Sequence, residues 1–134
     1  MRILIADHDQ DIQRLLGRIL WSWEHEVTMA NNGQEPLDIL PKAPDSFVIN
    51  NWMMPKMDGL ELCRHIHASD FGRYIILLTA RDAKNDLNHG MEVGADDFVV
   101  KPVDQGELNV RIRAVERVVA LRRRGGRGPE RGWD

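Results

Sequence analysis

The residues of this chain whose types suit chemistry are far apart in sequence: Asp7, His8, Asn51, Thr79 and Lys101. Each follows an apolar run that reads as a strand. In an open parallel sheet the ligand crevice lies beyond the carboxyl ends of the strands, so these five side chains are expected to meet. They supply one carboxylate, one imidazole, one carboxamide, one hydroxyl and one amine. With His8 neutral, Asp7 and Lys101 sum to zero charge, and a carboxamide offers no anionic oxygen. Asp7 and His8 alone are fewer than the three or four ligands that a site for a softer metal ion needs. A flavin site is disfavoured because the loops carry a lysine and acids instead of a phosphate-cradling Ser/Thr/Gly loop.

The elements that must position these residues follow from periodicity. Arg2 to Ala6 is a short apolar run, and Asp9 stands where the next helix should be capped. Ile12, Leu15, Leu16, Ile19, Leu20 and Trp23 recur at three- and four-residue spacing, which predicts a helix over residues 10–23, with Gly17 explained by close packing. Glu26 to Ala30 is the second strand. A short helix follows with Pro36 in its first turn and Leu37 and Leu40 inward, and Pro41 and Pro44 fence a third strand, Ser46 to Asn50. Leu60, Leu62, Cys63 and Ile66 mark the third helix, in which Cys63 reads as a buried structural thiol. Tyr74 to Leu78 is apolar on both faces, as in a central parallel strand. A weak helix is expected over Ala83–Val93 with Gly94 as its cap, then a strand at Asp97–Val100, then a long helix capped by Asp104 and running to about Arg123. Five strands alternating with five helices predict a doubly wound parallel α/β sheet with right-handed crossovers.

The length, 134 residues, suits one domain. No apolar run approaches a membrane span, and the N-terminus enters a strand with no signal-peptide pattern, so a cytoplasmic location is expected. Charge is uneven: residues 1–110 hold 10 Lys/Arg and 18 Asp/Glu, a net −8, whereas residues 111–134 hold 8 Arg and 3 acids, a net +5. The expected division is a folded domain over 1–121 and a basic, disordered tail or truncated linker over 122–134.

The runs Trp52-Met53-Met54-Pro55-x-Met57-Asp58-Gly59, Leu78-Thr79-Ala80-Arg81, Gly94-Ala95-Asp96-Asp97-Phe98 and Lys101-Pro102 occur in this order. Over residues 2 to about 121 the chain resembles the receiver domain of two-component response regulators, the CheY-like family. The resemblance implies a flavodoxin-like (βα)5 fold with strand order 2-1-3-4-5. It also implies a site in which an aspartate after the third strand becomes an acyl phosphate, two acids after the first strand help hold Mg²⁺, and Thr and Lys grip the phosphoryl oxygens. Asp7 matches the first acid, Thr79 the hydroxyl, Lys101 the lysine, and Thr79 with Phe98 the switch pair. Two positions depart. His8 stands at the second acid and Asn51 at the phosphoacceptor, so the remaining metal ligand is Asp7 and Mg²⁺ is expected to bind weakly at most.

Asn51 has two readings: a native degenerate receiver, or an Asp-to-Asn change in an ordinary one. The first implies a signalling module that is not an enzyme and needs no cofactor, with Asn51 and Lys101 hydrogen-bonded and Asp9 and Asp58 capping helices. Its partners would be proteins, a sensor kinase or an output domain. On the last helix, Leu108, Ile112, Val115 and Val119 form one apolar stripe. Val110, Ala114, Val118 and Leu121 form another, suited to a homodimer or a linker. Nucleic acid is not expected to bind the arginine-rich end, because the body is acidic, no helix-turn-helix pattern is present and interleaved stacking aromatics are lacking apart from Trp133.

Overall fold

The structure, a computed structural model, describes residues 1–42, 47–52, 54, 56–68, 73–79 and 94–126. The helix expected over Ala83–Val93 lies outside the described residues. So do Pro44, Ser46, Met53, Pro55, the segment 80–82 and the end of the basic tail, 127–134. The chain forms two compact units, Met1–Pro102 and Val103–Asp134.

The first unit is a five-stranded parallel sheet: β1 (Arg2–Ala6), β2 (Glu26–Ala30), β3 (Phe47–Asn51), β4 (Ile75–Thr79) and β5 (Asp97–Val100), in the order β2-β1-β3-β4-β5. This is the architecture expected from the alternating pattern. Every residue of β3 and β4 is buried, which is why these strands read as continuous apolar runs and not as alternating ones. β3 and β4 each lie one residue later than periodicity suggested. Asn51 pairs with Leu78 and Thr79 pairs with Val100, so both polar residues are the last rungs of ladders and not the first residues of loops. A polar side chain looked like a strand end, but the backbone pairing continues beneath it.

Helix α1 (Gln10–Ser22) starts at Asp9, whose carboxylate accepts from the backbone N–H of Asp11 and Ile12, as expected of the cap. Its Gly17 lies over β2, where an added Cβ would sit 2.6 Å from the Met29 methyl. At its far end Glu24 adopts a left-handed conformation (φ 67°) while the Glu24 and His25 N–H groups close onto Trp21 and Leu20 carbonyls. Helix α2 (Glu35–Ile39) carries Pro36 in its first turn and is followed by a 3₁₀ turn, Leu40–Lys42. Helix α3 (Gly59–Ala68) buries Leu62, Cys63 and Ile66. These pack with Leu4, Val48, Ile75 and Leu77 from the sheet and with Leu40 into one apolar cluster, with Phe98 partly buried at its margin.

The second unit contains helix α4 (Gln105–Gly126), capped by Asp104, which accepts from the Glu107 N–H at 3.0 Å. The helix continues through Gly126, so residues 122–126 extend it beyond the expected start of the tail. Arginine is a good helix former, and the paired glycines 125 and 126 stand where it stops. Leu108, Ile112 and Val115 are buried, whereas Val110 and Leu121 are about two-thirds exposed, at 66% and 64%.

Candidate functional site

Asp7 follows β1 and is fully buried. Its N–H still donates to the Ala30 carbonyl at 3.0 Å, which holds the backbone in sheet register one residue past the strand. Oδ1 of Asp7 accepts from the Asp9 N–H at 2.9 Å and from Asn51 Nδ2 at 3.3 Å. The other face of the Asn51 amide is engaged as well: Lys101 Nζ donates to Oδ1 at 2.7 Å. Lys101 Nζ also lies 4.0 Å from Asp7 Oδ2, an oxygen that has no hydrogen-bond partner. The hydrogen bond expected between Asn51 and Lys101 is therefore present, and Asp7 closes it into a ring of three side chains.

This ring has a simple electrostatic logic. An amide placed between an anion and a cation can turn its N–H to the carboxylate and its carbonyl to the ammonium, satisfying both without adding charge. Thr79 sits beside it, almost fully buried, and its carbonyl accepts the Lys101 N–H at 2.8 Å, which carries the lysine to the crevice. His8 is different. Its side chain is 49% exposed, with Nδ1 3.8 Å from Asp7 Oδ1, so it borders the crevice from solvent. Of the five residues singled out from sequence, the structure brings Asp7, Asn51 and Lys101 into direct contact, sets Thr79 next to them and leaves His8 at the rim.

Two glycines fix the loop after β3. A side chain at Gly33 would run into the Met57 carbonyl, and one at Gly59 into the Asn51 carbonyl; the Gly59 N–H donates to Trp52 at 2.7 Å. Asp58 accepts from the Glu61 N–H at 2.9 Å, so it caps α3 and does not reach into the crevice. One supporting residue escaped the sequence reading. Gln13 is buried on α1, where its Nε2 donates to the Asp7 carbonyl and to Asn31 Oδ1, tying the β1–α1 turn to the β2–α2 loop. Its signal was a polar residue inside the apolar stripe of α1. Below the site, burial pushes the Cys63 thiol up to about 12, against a smaller lowering by its contact with Asn50, as befits a structural thiol.

The sequence matches the family model of the response regulator receiver domain over residues 3–113. The chain belongs to that family. Receiver domains of response regulators are signalling modules of two-component systems that work with kinases and output domains. The chain is similar to the response regulator MprA of Mycobacterium leprae, with 40% identity over 118 residues, covering 87% of this chain and 51% of the relative. It is 38% identical to MprA of Mycobacterium bovis over the same shares. The receiver thus spans about half the length of the curated relatives it matches. Among solved structures, it resembles a response regulator receiver domain protein from Clostridium thermocellum, with a TM-score of 0.80 and 28% identity over 90% of this chain and 98% of that one. It also resembles the chemotaxis response regulator CheY4 of Vibrio cholerae, with a TM-score of 0.78 and 26% identity over 85% of this chain and 97% of that one. No helix among the described residues is long and apolar enough to cross a membrane.

Proposed function

We propose that this receiver, as it stands, accepts no phosphoryl group and signals through protein contacts in the cytoplasm. The observation that carries the proposal is the closed ring of Asp7, Asn51 and Lys101, in which the side chain at the acceptor position is an amide held by both of its neighbours. An amide oxygen hydrogen-bonded to an ammonium is a poor nucleophile and cannot give an acyl phosphate. The donors also do not fit Mg²⁺. Asp7 is the one carboxylate in the ring, the Asn51 oxygen is occupied by Lys101, and no group of three His, Cys, Asp or Glu side chains suited to a metal is found among the described residues. Mg²⁺ parts with its water reluctantly and favours anionic oxygens, so binding here is weak at most. Without a phosphoryl ligand the Thr79–Phe98 pair has nothing to bias it, and the domain stays in one state.

The partners that fit this reading are a kinase or an output domain contacting the folded surface, and a second copy of the chain through the exposed Val110–Leu121 face of α4. A second reading, an ordinary receiver carrying an Asp-to-Asn change, draws support from the intact Thr79 and Lys101 and the glycine-fixed loop. A phosphodonor and Mg²⁺ titration of the chain beside Asn51→Asp and Asn51→Asp/His8→Asp separates the two. No labelling of the parent, with labelling that needs both changes, supports the degenerate receiver. Full labelling after Asn51→Asp alone favours the second reading, and labelling of the parent refutes the first.

A further inference from the structure

At the end of the sheet opposite the Asp7 crevice, a cavity of about 350 Å³ is lined by Trp21, Glu24, His25 and Glu26. These residues run from the last turn of α1 to the first residue of β2. Glu26 pairs with Arg2 at the start of β1, so the cavity lies at the amino-terminal ends of the strands, apart from the ring of Asp7, Asn51 and Lys101. Its volume falls within the range of small-ligand sites, roughly 300–1,000 Å³.

The lining gives the cavity a definite chemistry. Trp21 is 72% exposed, the most exposed of the large apolar side chains among the described residues. An indole held at the surface offers the negative face of its π system to a cation. Glu26 already carries Arg2 at 3.3 Å, but the Glu24 carboxylate makes no hydrogen bond or ion pair among the described residues. Glu24 also sits at φ 67°, the left-handed position after a helix that glycine fills at least cost. A backbone penalty is thus borne at the cavity residue whose carboxylate is uncommitted. Helix α1 has no basic residue in its last turn, so its negative pole ends at the cavity without a cation of its own to meet it. Two positive groups stand nearby, and both are engaged: Arg2 with Glu26, and the Met1 ammonium with His25 Nδ1 at 3.3 Å. An ammonium only donates, so Nδ1 accepts, and the buried His25 ring lines the cavity without charge.

We propose that this cavity binds an organic cation, an alkylated ammonium group, between the Trp21 indole and the Glu24 carboxylate. A metal ion does not suit it, since no group of three His, Cys, Asp or Glu side chains fit to hold one is found among the described residues. A bare ammonium is strongly hydrated and gives up its water at a cost. An alkylated one is hydrated weakly, and its methyl groups cover indole surface that water otherwise meets, so it gains from both the charge and the apolar contact. A free quaternary amine and a methylated lysine side chain of another protein present this same group.

The test is a titration of the full chain, followed by backbone amide and indole N–H resonances. The probes are choline and its uncharged carbon analogue, in which a tert-butyl group replaces the trimethylammonium. Choline should shift the Trp21 indole and the Glu24 and Glu26 amides, leave the core-packed Trp52 in place, and bind about tenfold more tightly than the analogue. Trp21→Leu should abolish the amide shifts, and Glu24→Gln should weaken binding by about threefold to tenfold, with circular dichroism showing that both variants are folded. Glu24→Gly separates the backbone from the side chain: it should raise the thermal midpoint and lose affinity together. Absence of a choline shift overturns the proposal, as do equal binding of the carbon analogue, shifts centred away from Trp21, and a Trp21→Leu or Glu24→Gln variant that binds as the parent does. A peptide carrying trimethyl-lysine distinguishes the sources. Binding tighter than that of choline assigns the cavity to a protein side chain, and weaker binding assigns it to a free amine.

Discussion

Asn51→Asp should destabilise the domain in the absence of divalent cations, and Mg²⁺ should reverse the loss. The substitution exchanges an amide donor 3.3 Å from Asp7 Oδ1 for a second carboxylate. At an effective dielectric of about 20, two like charges at that separation repel by about 5 kcal/mol, while the attraction of the new charge to Lys101 at its present distance amounts to about 6 kcal/mol. These two contributions nearly cancel. What remains is the lost amide hydrogen bond and the desolvation of a carboxylate at a position 6% exposed, together about 1–3 kcal/mol. In urea denaturation followed by circular dichroism this corresponds to a midpoint lower by about 1 M. A divalent cation bound between the two carboxylates at a hundredfold its Kd restores about 2.7 kcal/mol, whereas the parent, with one carboxylate, should not respond. A variant as stable as the parent without Mg²⁺, or a parent that gains as much from Mg²⁺, would refute the account of the ring as a neutral, amide-bridged pair.

Other outcomes follow from the packing. The Cys63 thiol, pushed up to about 12 from 9.0 by burial, stays protonated in the folded state after the unfolded chain has released its proton. The unfolded state then binds fewer protons, so stability should fall by at most about 1.4 kcal/mol per pH unit as pH rises from 9.0 to about 12, and Cys63→Ala should flatten that slope. Gly33→Ala should cost about 1–3 kcal/mol by chemical denaturation, because the new methyl meets the Met57 backbone. Gly17→Ala meets only the mobile end of Met29 and should be neutral or stabilising by up to about 1 kcal/mol. Glu24→Gly relieves a left-handed residue at the end of α1 and should raise the thermal midpoint, with a gain of about 1 kcal/mol.

The fold was legible because each element carries its own signal. β4 is apolar on both faces, Asp9 and Asp104 stand at helix starts, and Pro36 falls in a first turn, so local chemistry and global order agree. The site was legible as a set of residues, since strand ends in a parallel sheet converge whatever their spacing in sequence. Its fine structure was less so. Periodicity ended β3 and β4 one residue early because Asn51 and Thr79 look like loop residues, and only the ladder shows that they are paired. Gln13 was passed over because a lone polar residue on an apolar helix face carries no sign of what it will bond. The length of α4 was underestimated for a related reason: arginine favours helix, yet the run at 122–124 carries no apolar periodicity to mark it.

The pairing of Asp7 with Lys101 has an explanation apart from phosphoryl chemistry. Asp7 is fully buried, and a buried carboxylate needs a counter-charge; Lys101 is the ammonium that the structure sets 4.0 Å from it. Removing either partner leaves the other charged in a crevice walled by sheet, a loss of about 3–5 kcal/mol, so the pair holds the strand ends together in its own right. Asn51 is the group that lets this pair exist without a third charge: its amide passes the field of the lysine to the aspartate through two hydrogen bonds.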